Sequence, residues 1–248
     1  MILYVNGCSH SAADEAAVNF SWACDDPDLW QAGTEAHPAN LAVSYGKHIA
    51  DALGAKLICH ASSGGSNPRV LRTTKEWIAE NPDLLADTLM ILQWTTWERE
   101  EWFYQDKWYQ VNASGIDHVP DALQDRYKQY VINVNWEEKT AQAHKDIWEL
   151  HCELKAQGIK HLFFSGHSTF SHIKNHDQQD WGVDYMHPYV WEESYHNWLI
   201  NNGGSYANPD SDPKSYHFDA KSHRLWAKHV LQYMLNNQIV SADEIPTD

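Results

Sequence analysis

Apolar positions in this chain form short continuous runs that alternate with stripes at helical spacing. The runs predict buried strands over residues 2–5, 56–60, 88–94 and 160–165. The helical spacing predicts helices over residues 41–53, 68–80, 136–157, 192–200 and 219–235. Strands that alternate with helices favour a parallel sheet, because parallel strands need long crossover connections. We therefore expect an α/β fold, a flavodoxin-like three-layer α/β/α arrangement with a mostly parallel central sheet.

Three stretches lack a sustained period and predict irregular insertions, near residues 12–40, 97–130 and 166–216. We expect the middle insertion to cover the mouth of the sheet. The chain has 248 residues, of which 43% are hydrophobic, and this is enough to bury one substantial core. We therefore expect a single domain that spans residues 1–248.

The charge balance narrows the choice of partners. The 34 acidic and 18 basic residues give a net charge of -16, which repels a phosphate backbone, so nucleic acid is not an expected partner. The sequence shows no secretory leader pattern and no apolar run of membrane-spanning length, so we expect a cytoplasmic protein without a membrane partner. The four cysteines are widely spaced, which predicts neither a disulfide framework nor a zinc cage. The oligomeric state stays open.

Three predicted turns follow strands and would open at the same edge of the sheet, where ligands bind in open α/β folds. They are Gly7-Cys8-Ser9-His10-Ser11, Gly64-Gly65-Ser66-Asn67 and Trp94-Thr95-Thr96. A serine in such a turn is most often only a turn former or a helix cap. The hydroxyl of Ser9 becomes a nucleophile only if a neighbouring base removes its proton.

These segments resemble the motifs of the SGNH hydrolase superfamily, the GDSL-type esterases and lipases. Gly7-Cys8-Ser9 is similar to the family's Gly-Asp-Ser block, with Cys8 in the place of Asp. Residues 61–67 are similar to the block that ends in Gly-x-Ser-Asn, and residues 217–227 are similar to the last block, Asp-x-x-His-Pro with a later Gly-His. The resemblance thus touches both ends of the chain.

The resemblance implies a serine-dependent ester hydrolase that needs no cofactor and forms an acyl-enzyme intermediate. It implies that Ser9 attacks the ester carbonyl and that His217 takes the proton of Ser9. The backbone N–H groups of Ser9 and Gly64 would bind the oxyanion. The family's third oxyanion donor is an Asn that has no counterpart after the third strand, and the side chains of Asn67 and Thr95 are the available substitutes.

The last block departs from the family pattern at its acidic residue. The family's Asp three residues before the catalytic histidine falls on Lys214, whose ammonium group can only donate. We expect Asp212 to orient His217 instead, with Asp210 as the alternative. If the register of this block is shifted, His223 takes the role of the base.

Aromatic residues are unusually frequent, with 13 tryptophans and 12 tyrosines. Most will fill the core, but rings with a polar handle also suit a binding pocket. We expect His10, Trp94 and Trp97 to line the substrate pocket. The substrate we expect is a small ester, with an acylated sugar favoured over a long-chain lipid.

Two other functions fit the sequence. The two missing family residues are what we expect of an SGNH-like binding or assembly module that has lost catalysis. The second is metal-dependent hydrolysis by the histidine-rich region 167–196, where His172 and His176 would share a face if that segment is helical. The spacing is otherwise irregular and contains no HExxH pattern, so our favoured site contains no metal. The histidines of this region are His167, His172, His176, His187 and His196.

Overall fold

The central feature of the structure, a computed structural model that describes residues 1–17, 36–113, 119–210 and 216–244, is a sheet of five parallel strands. The strands in the described ranges are β1 (Ile2–Asn6), β2 (Lys56–Cys59), β3 (Thr88–Trp94), β4 (Glu100–Tyr104), β5 (Lys107–Val111), β6 (Lys160–Ser165) and β7 (Tyr185–Met186). The sheet has the order β2-β1-β3-β6-β7, and all of its neighbouring strands pair in parallel. This order is the flavodoxin-like one, so the predicted α/β fold class is confirmed.

The helices between these strands begin where the sequence supplies a cap. The described helices are α1 (Ser9–Ala12), α2 (Pro38–Leu41), α3 (Tyr45–Ala52), α4 (Asn67–Glu80), α5 (Gln124–Asn133), α6 (Trp136–Ala156), α7 (Tyr195–Asn201) and α8 (Ala220–Asn236). In six of them a polar side chain at the N-cap accepts a hydrogen bond from a first-turn N–H, which satisfies a donor that the helix leaves unpaired. These caps are His37, Ser44, Ser66, Asn135, Ser194 and Asp219.

The helices cover both faces of the sheet and make three layers. On one face α3, α7 and α8 pack on the sheet through residues such as Ile49, Leu199 and Trp226. On the other face α4 and α6 pack on it through Val70 and Ile147. The central strands β1, β3 and β6 are buried on both faces, which explains why they are mostly apolar runs in the sequence.

Two regions differ from the sequence prediction. In the stretch 41–53, Leu41 is the last residue of α2 and helix α3 begins only at Tyr45, because Ser44 caps a new helix there. The stretch 97–130 contains the antiparallel hairpin β4–β5 and helix α5, which the pattern did not predict. Both faces of the hairpin carry aromatic side chains, so its period of two is hidden.

The remaining predictions concern the first insertion, the number of domains and membrane-spanning helices. Most of the predicted insertion at 12–40 lies outside the described residues, and the single domain stays a prediction. No helix in the described ranges combines the length and the apolar character that crossing a bilayer requires.

Candidate functional site

A cavity of about 920 Å³ opens at the carboxyl end of the sheet. It lies beside the ends of β1 and β3, where the chain's path through the sheet reverses direction and where ligands bind in this class of fold. Four segments and three further side chains supply its lining: residues 9–10 after β1, 96–99 after β3, most of 167–172 after β6, 216–217 before α8, and Trp136, Trp191 and His196.

A buried hydrogen-bond network fixes the turn after β1. Ser11 Oγ donates to Gln93 Oε1 at 2.6 Å and is also 2.6 Å from the hydroxyl of Tyr45. Gly7 makes this possible, because a Cβ at that position would lie 2.4 Å from Ser11 Oγ. Ser9 follows as the first residue of α1 and lines the cavity with 7% of its surface exposed.

The turn after β2 packs directly against this first turn. The N–H of Ser62 donates to the carbonyl of Gly7 at 3.2 Å, and a Cβ at Gly65 would lie 2.9 Å from the same carbonyl oxygen. Gly64 has a φ of +67°, which is the left-handed region that glycine favours. Within the described part of the chain, the N–H groups of Ser9 and Gly64 donate to no acceptor. Both predicted oxyanion donors are therefore unused.

Asn67 and Thr95, the two predicted substitutes for the third oxyanion donor, have other surroundings. Asn67 Oδ1 accepts from the N–H of Thr95 at 2.8 Å, and Asn67 Nδ2 is 3.3 Å from the Thr95 carbonyl. The amide thus fastens the start of α4 to the end of β3. Thr95 is fully buried, and the cavity is lined by Thr96 instead. Neither side chain supplies a donor to the cavity, which corrects this expectation.

His217 lies in the cavity lining beside a carboxylate that the sequence reading missed. Its Nδ1 is 3.4 Å from Oε1 of Glu15, whose side chain is only 3% exposed. Glu15 Oε2 accepts from Asn208 Nδ2 at 2.9 Å, which holds the carboxylate in place. Of the predicted acids, Asp212 lies outside the described residues and Asp210 is exposed. Glu15 could have been noticed as a candidate, because it belongs to an acidic pair that follows the turn containing Ser9.

The acid next to Glu15 shares this environment. Burial raises the pKa of Asp14, while the positive charge of a protonated His217 and a hydrogen bond with Ser63 lower it. Two carboxyl groups therefore lie near His217.

His223, the alternative base, does not reach the cavity. It is 1% exposed, and its Nδ1 accepts from the N–H of Tyr45 at 3.3 Å. Burial, with a smaller contribution from His217, lowers the pKa of His223 to about 3. It is therefore a neutral core residue.

Four imidazole rings form a row along the cavity. Ring centroids are 5.3 Å apart for His217 and His10, 4.5 Å for His10 and His167, and 4.7 Å for His167 and His196. His10 Nε2 and His167 Nε2 are 2.5 Å apart, so one of these two nitrogens carries a hydrogen that the other accepts. Burial lowers the pKa of His10 well below its ordinary value and that of His167 to about 3, so both rings are neutral at pH 7. His10 lines the cavity.

The predicted metal arrangement in region 167–196 does not form. His172 and His176 do not share a helix, because the described helix in this part is the short 3-10 turn Asn175–Asp177. His176 is exposed and His187 lies against Tyr233, away from the cavity lining. In the described ranges, the cavity imidazoles do not bring three donor atoms within the reach of one ion.

The predicted tryptophans divide between pocket and core. Trp97 lines the cavity and stacks on Phe170, with centroids 4.5 Å apart. Trp94 does not line it, because side chains alternate along β3 and this one turns into the core against Phe163. The prediction for Trp94 is therefore wrong.

Arg99 is a second lining residue that the sequence reading missed. Its Nη1 donates to the carbonyl of Gly65 at 3.3 Å, and its Nε is buried without a partner among the described residues. The guanidinium therefore places a positive charge in the wall of the cavity.

The chain was compared with family models, curated proteins and solved structures, and nothing matched. The resemblance to SGNH hydrolases therefore depends on the short motifs alone.

Proposed function

We propose that the chain is a serine-dependent ester hydrolase in which Ser9 is the nucleophile and His217 is the general base. The observation that carries the proposal is that these two residues, from opposite ends of the chain, line one cavity at the reversal point of the sheet. A serine hydroxyl needs a base within reach, and apo structures often show this contact longer than it is during catalysis. The shared cavity gives the pair that opportunity.

Glu15 supports the role of His217 as a base. A carboxylate only accepts hydrogen bonds, so the Nδ1 of His217 that faces Glu15 carries the hydrogen. Nε2 then carries no hydrogen, so its lone pair is the one that can take a proton. The carboxylate also stabilises the imidazolium that forms after the proton moves. Glu15 thus takes the part that the sequence reading gave to Asp212.

The reaction follows from these positions. Ser9 Oγ attacks the ester carbonyl while His217 Nε2 takes its proton, and the carbonyl electron pair moves onto the oxygen. The N–H groups of Ser9 and Gly64 stabilise that oxyanion. When the pair returns, the C–O bond to the alcohol breaks and the alcohol oxygen takes the proton from His217. Water then attacks the acyl-enzyme by the same steps and releases the acid.

The cavity suits a small polar ester. Its volume of about 920 Å³ is in the range of small-molecule sites. Trp97, Trp136 and Trp191 offer ring faces, and Arg99 and His196 offer polar groups. Such a mixture supports an acyl group on a polar carrier such as a sugar, because aromatic rings provide contact area beside hydrogen-bonding groups.

The two rival functions are separated by one experiment. The purified protein is assayed with p-nitrophenyl acetate, alone and after treatment with either a fluorophosphonate or a chelator. We expect hydrolysis that the fluorophosphonate abolishes and the chelator leaves unchanged. The opposite inhibition pattern would favour the metal-dependent route. A folded protein that neither hydrolyses the ester nor reacts with the fluorophosphonate would be the binding module.

Glu15→Gln is expected to lower kcat by a factor of ~10²–10⁴ with little change in KM. The amide keeps the shape of the side chain but loses the charge, and it can turn its NH₂ toward His217 and favour the wrong tautomer. The measurement is a kcat and KM comparison across pH. Asp210→Asn is the matched control, because Asp210 is exposed and its change should leave kcat within a factor of ~3. A wild-type kcat for Glu15→Gln would remove Glu15 from the mechanism.

A further inference from the structure

A second cluster of histidines lies near the end of the sheet opposite the cavity. His151 is on α6, His161 is the second residue of β6, and Asp184 comes immediately before β7. Ser165 lies at the cavity end of β6, four residues after His161. At about 3.3 Å per residue, His161 and Ser165 are therefore roughly 13 Å apart. The cluster is therefore a separate place from the proposed catalytic site.

The three side chains point at one common position. His151 Nδ1 and His161 Nε2 are 2.9 Å apart, and one donor atom from each of the three residues lies within 4.8 Å of the others. A tetrahedral ion with bonds of about 2.0–2.1 Å holds its ligands roughly 3.3 Å apart. The donors thus need only small movements to share an ion. We propose that His151, His161 and Asp184 bind a divalent metal ion, Zn²⁺ by preference.

The hydrogen bond on the far side of His161 prepares it as a ligand. His161 Nδ1 is 2.9 Å from the carbonyl oxygen of Ile159, which can only accept, so Nδ1 carries the hydrogen. Nε2 therefore carries no hydrogen and accepts the Nδ1–H of His151 at 2.9 Å, so a metal ion that takes this lone pair displaces that hydrogen from His151 Nδ1. Metal-binding histidines usually donate their second N–H to a carbonyl or carboxylate in this way. This bond is independent of the distances among the three donors.

Protonation does not oppose metal binding at neutral pH. Burial and the neighbouring His161 lower the pKa of His151 to about 4, and burial lowers the pKa of His161 as well. Both rings are 2% exposed and neutral at pH 7, which is the form that binds a metal. Asp184 supplies the negative charge.

The surroundings shield the ion and leave one side accessible. Trp148 stacks on His151 with centroids 5.0 Å apart, and Phe163 lies 4.9 Å from His161. The side chain of Asp184 is 18% exposed, so water can reach the site and fill a fourth position. An apolar shell around ligands strengthens their interaction with the ion.

The types of the three donor atoms determine which metal is preferred, and the ammonium group of Lys155 competes with that metal for Asp184. Two imidazole nitrogens and one carboxylate suit Zn²⁺ and its neighbours, whereas Mg²⁺ and Ca²⁺ prefer oxygen ligands. Lys155 Nζ is 3.2 Å from Asp184 Oδ2. Because the Lys155 side chain is 56% exposed, it can turn into solvent when the ion binds. Its removal should therefore strengthen binding.

The bound ion would link α6, β6 and β7 at one edge of the sheet. Such an ion stabilises the folded state, because it binds the folded protein in preference to the unfolded chain. This proposal does not depend on the hydrolase proposal.

The test is thermal melting and calorimetry of the chelator-stripped full-length chain with ZnCl₂ or MgCl₂. We expect one Zn²⁺ per chain at this site, a rise in Tm of about 5 °C or more at saturation, and no effect of MgCl₂. His151→Gln and Asp184→Asn should each weaken Zn²⁺ binding by ~10-fold or more, while Lys155→Gln should strengthen it. His176→Gln is the matched control, because His176 is exposed and is not one of the three proposed ligands.

Three results would overturn the metal proposal. One is the absence of any Zn²⁺ effect on Tm. The second is an effect that persists in both His151→Gln and Asp184→Asn, and the third is one that His167→Gln removes, since this places the ion among the cavity imidazoles. If His151→Gln does not fold, Asp184→Asn and Lys155→Gln still decide the question, because they must change the affinity in opposite directions.

Discussion

Ser9→Ala is expected to lower kcat for p-nitrophenyl acetate by a factor of ~10⁴ or more while the protein stays folded. Alanine has no oxygen with which to form the acyl-enzyme, so only catalysis by the oxyanion donors and by binding remains. The fold should tolerate the change, because Ser9 Oγ makes no hydrogen bond to any residue in the described ranges. Its loss should therefore cost less than about 1 kcal/mol of unfolding free energy.

The matched control is Ser171→Ala. Ser171 lines the same cavity but is exposed and lies outside the turns that approach Ser9, so kcat should stay within a factor of ~3. Circular dichroism of both variants checks the fold. If Ser9→Ala retained the wild-type kcat, Ser9 would not be the nucleophile.

A fall in pH from 7 to 5 is expected to lower the free energy of unfolding by on the order of 5 kcal/mol. The cause is a set of histidines that are buried in the neutral form. Burial lowers the pKa of His223 to about 3, that of His151 to about 4 and that of His10 well below its ordinary value. Their surfaces are 1%, 2% and 5% exposed, respectively, so solvent screens little of this effect.

The sign of the effect follows from proton binding. In the unfolded chain these histidines titrate near 6.5, so below that pH the unfolded chain binds protons that the folded protein does not. The stability from the neutral rings is therefore complete above about pH 6.5 and is lost as the pH falls toward the folded pKa values. With folded pKa values of about 3 and about 4, His223 and His151 each contribute about 2 kcal/mol to the loss between pH 7 and pH 5, and His10 adds to it in the same direction.

Urea denaturation at pH 7, 6 and 5 in the presence of a chelator measures this loss. His223→Asn should reduce the difference between pH 7 and pH 5 by about 2 kcal/mol, because the amide oxygen can still accept from the N–H of Tyr45 but does not titrate. His176→Gln, at an exposed position, should leave the difference unchanged. An unfolding free energy that is the same at pH 7 and pH 5 would contradict the neutral burial of these rings.

Much of the fold could be predicted because its central strands β1, β3 and β6 are buried on both faces. β3 and β6 are continuous apolar runs that were located at residues 88–94 and 160–165, as the structure has them. Turns rich in glycine and serine marked the carboxyl ends of the other two predicted strands, β1 and β2. The hairpin β4–β5 escaped because its aromatic residues occur on both faces, so no alternation was visible.

Part of the candidate site could be proposed from single turns. Ser9 and Gly64 were candidates because each lies in a turn that follows a predicted strand, and their roles stay predictions. Glu15 could not be assigned, because it meets His217 only after the start of α8 is brought next to the turn after β1. Trp94 was misplaced because the face of a strand's last residue depends on its register, and β3 pairs Trp94 with Ser165 only in the folded sheet.

The place of Arg99 in the cavity wall could not be predicted from the sequence either. As a sequence position it is one charge in an irregular acidic and aromatic stretch. In the fold, β4 begins directly after it and α4 packs beside it, so the guanidinium reaches the carbonyl of Gly65 in the second turn. A cavity wall assembled from several segments cannot be derived from any one of them.

Whether Ser9 is an activated nucleophile can be measured directly, by locating a covalent fluorophosphonate adduct with mass spectrometry of the digested protein. We expect one adduct per chain, on the peptide that contains Ser9, and none after Ser9→Ala or after denaturation before labelling. Loss of the His217 imidazole in His217→Gln should slow labelling strongly, because the base that activates Ser9 is gone. An adduct on another residue, or a folded protein that gains none, would contradict the claim that Ser9 is an activated nucleophile.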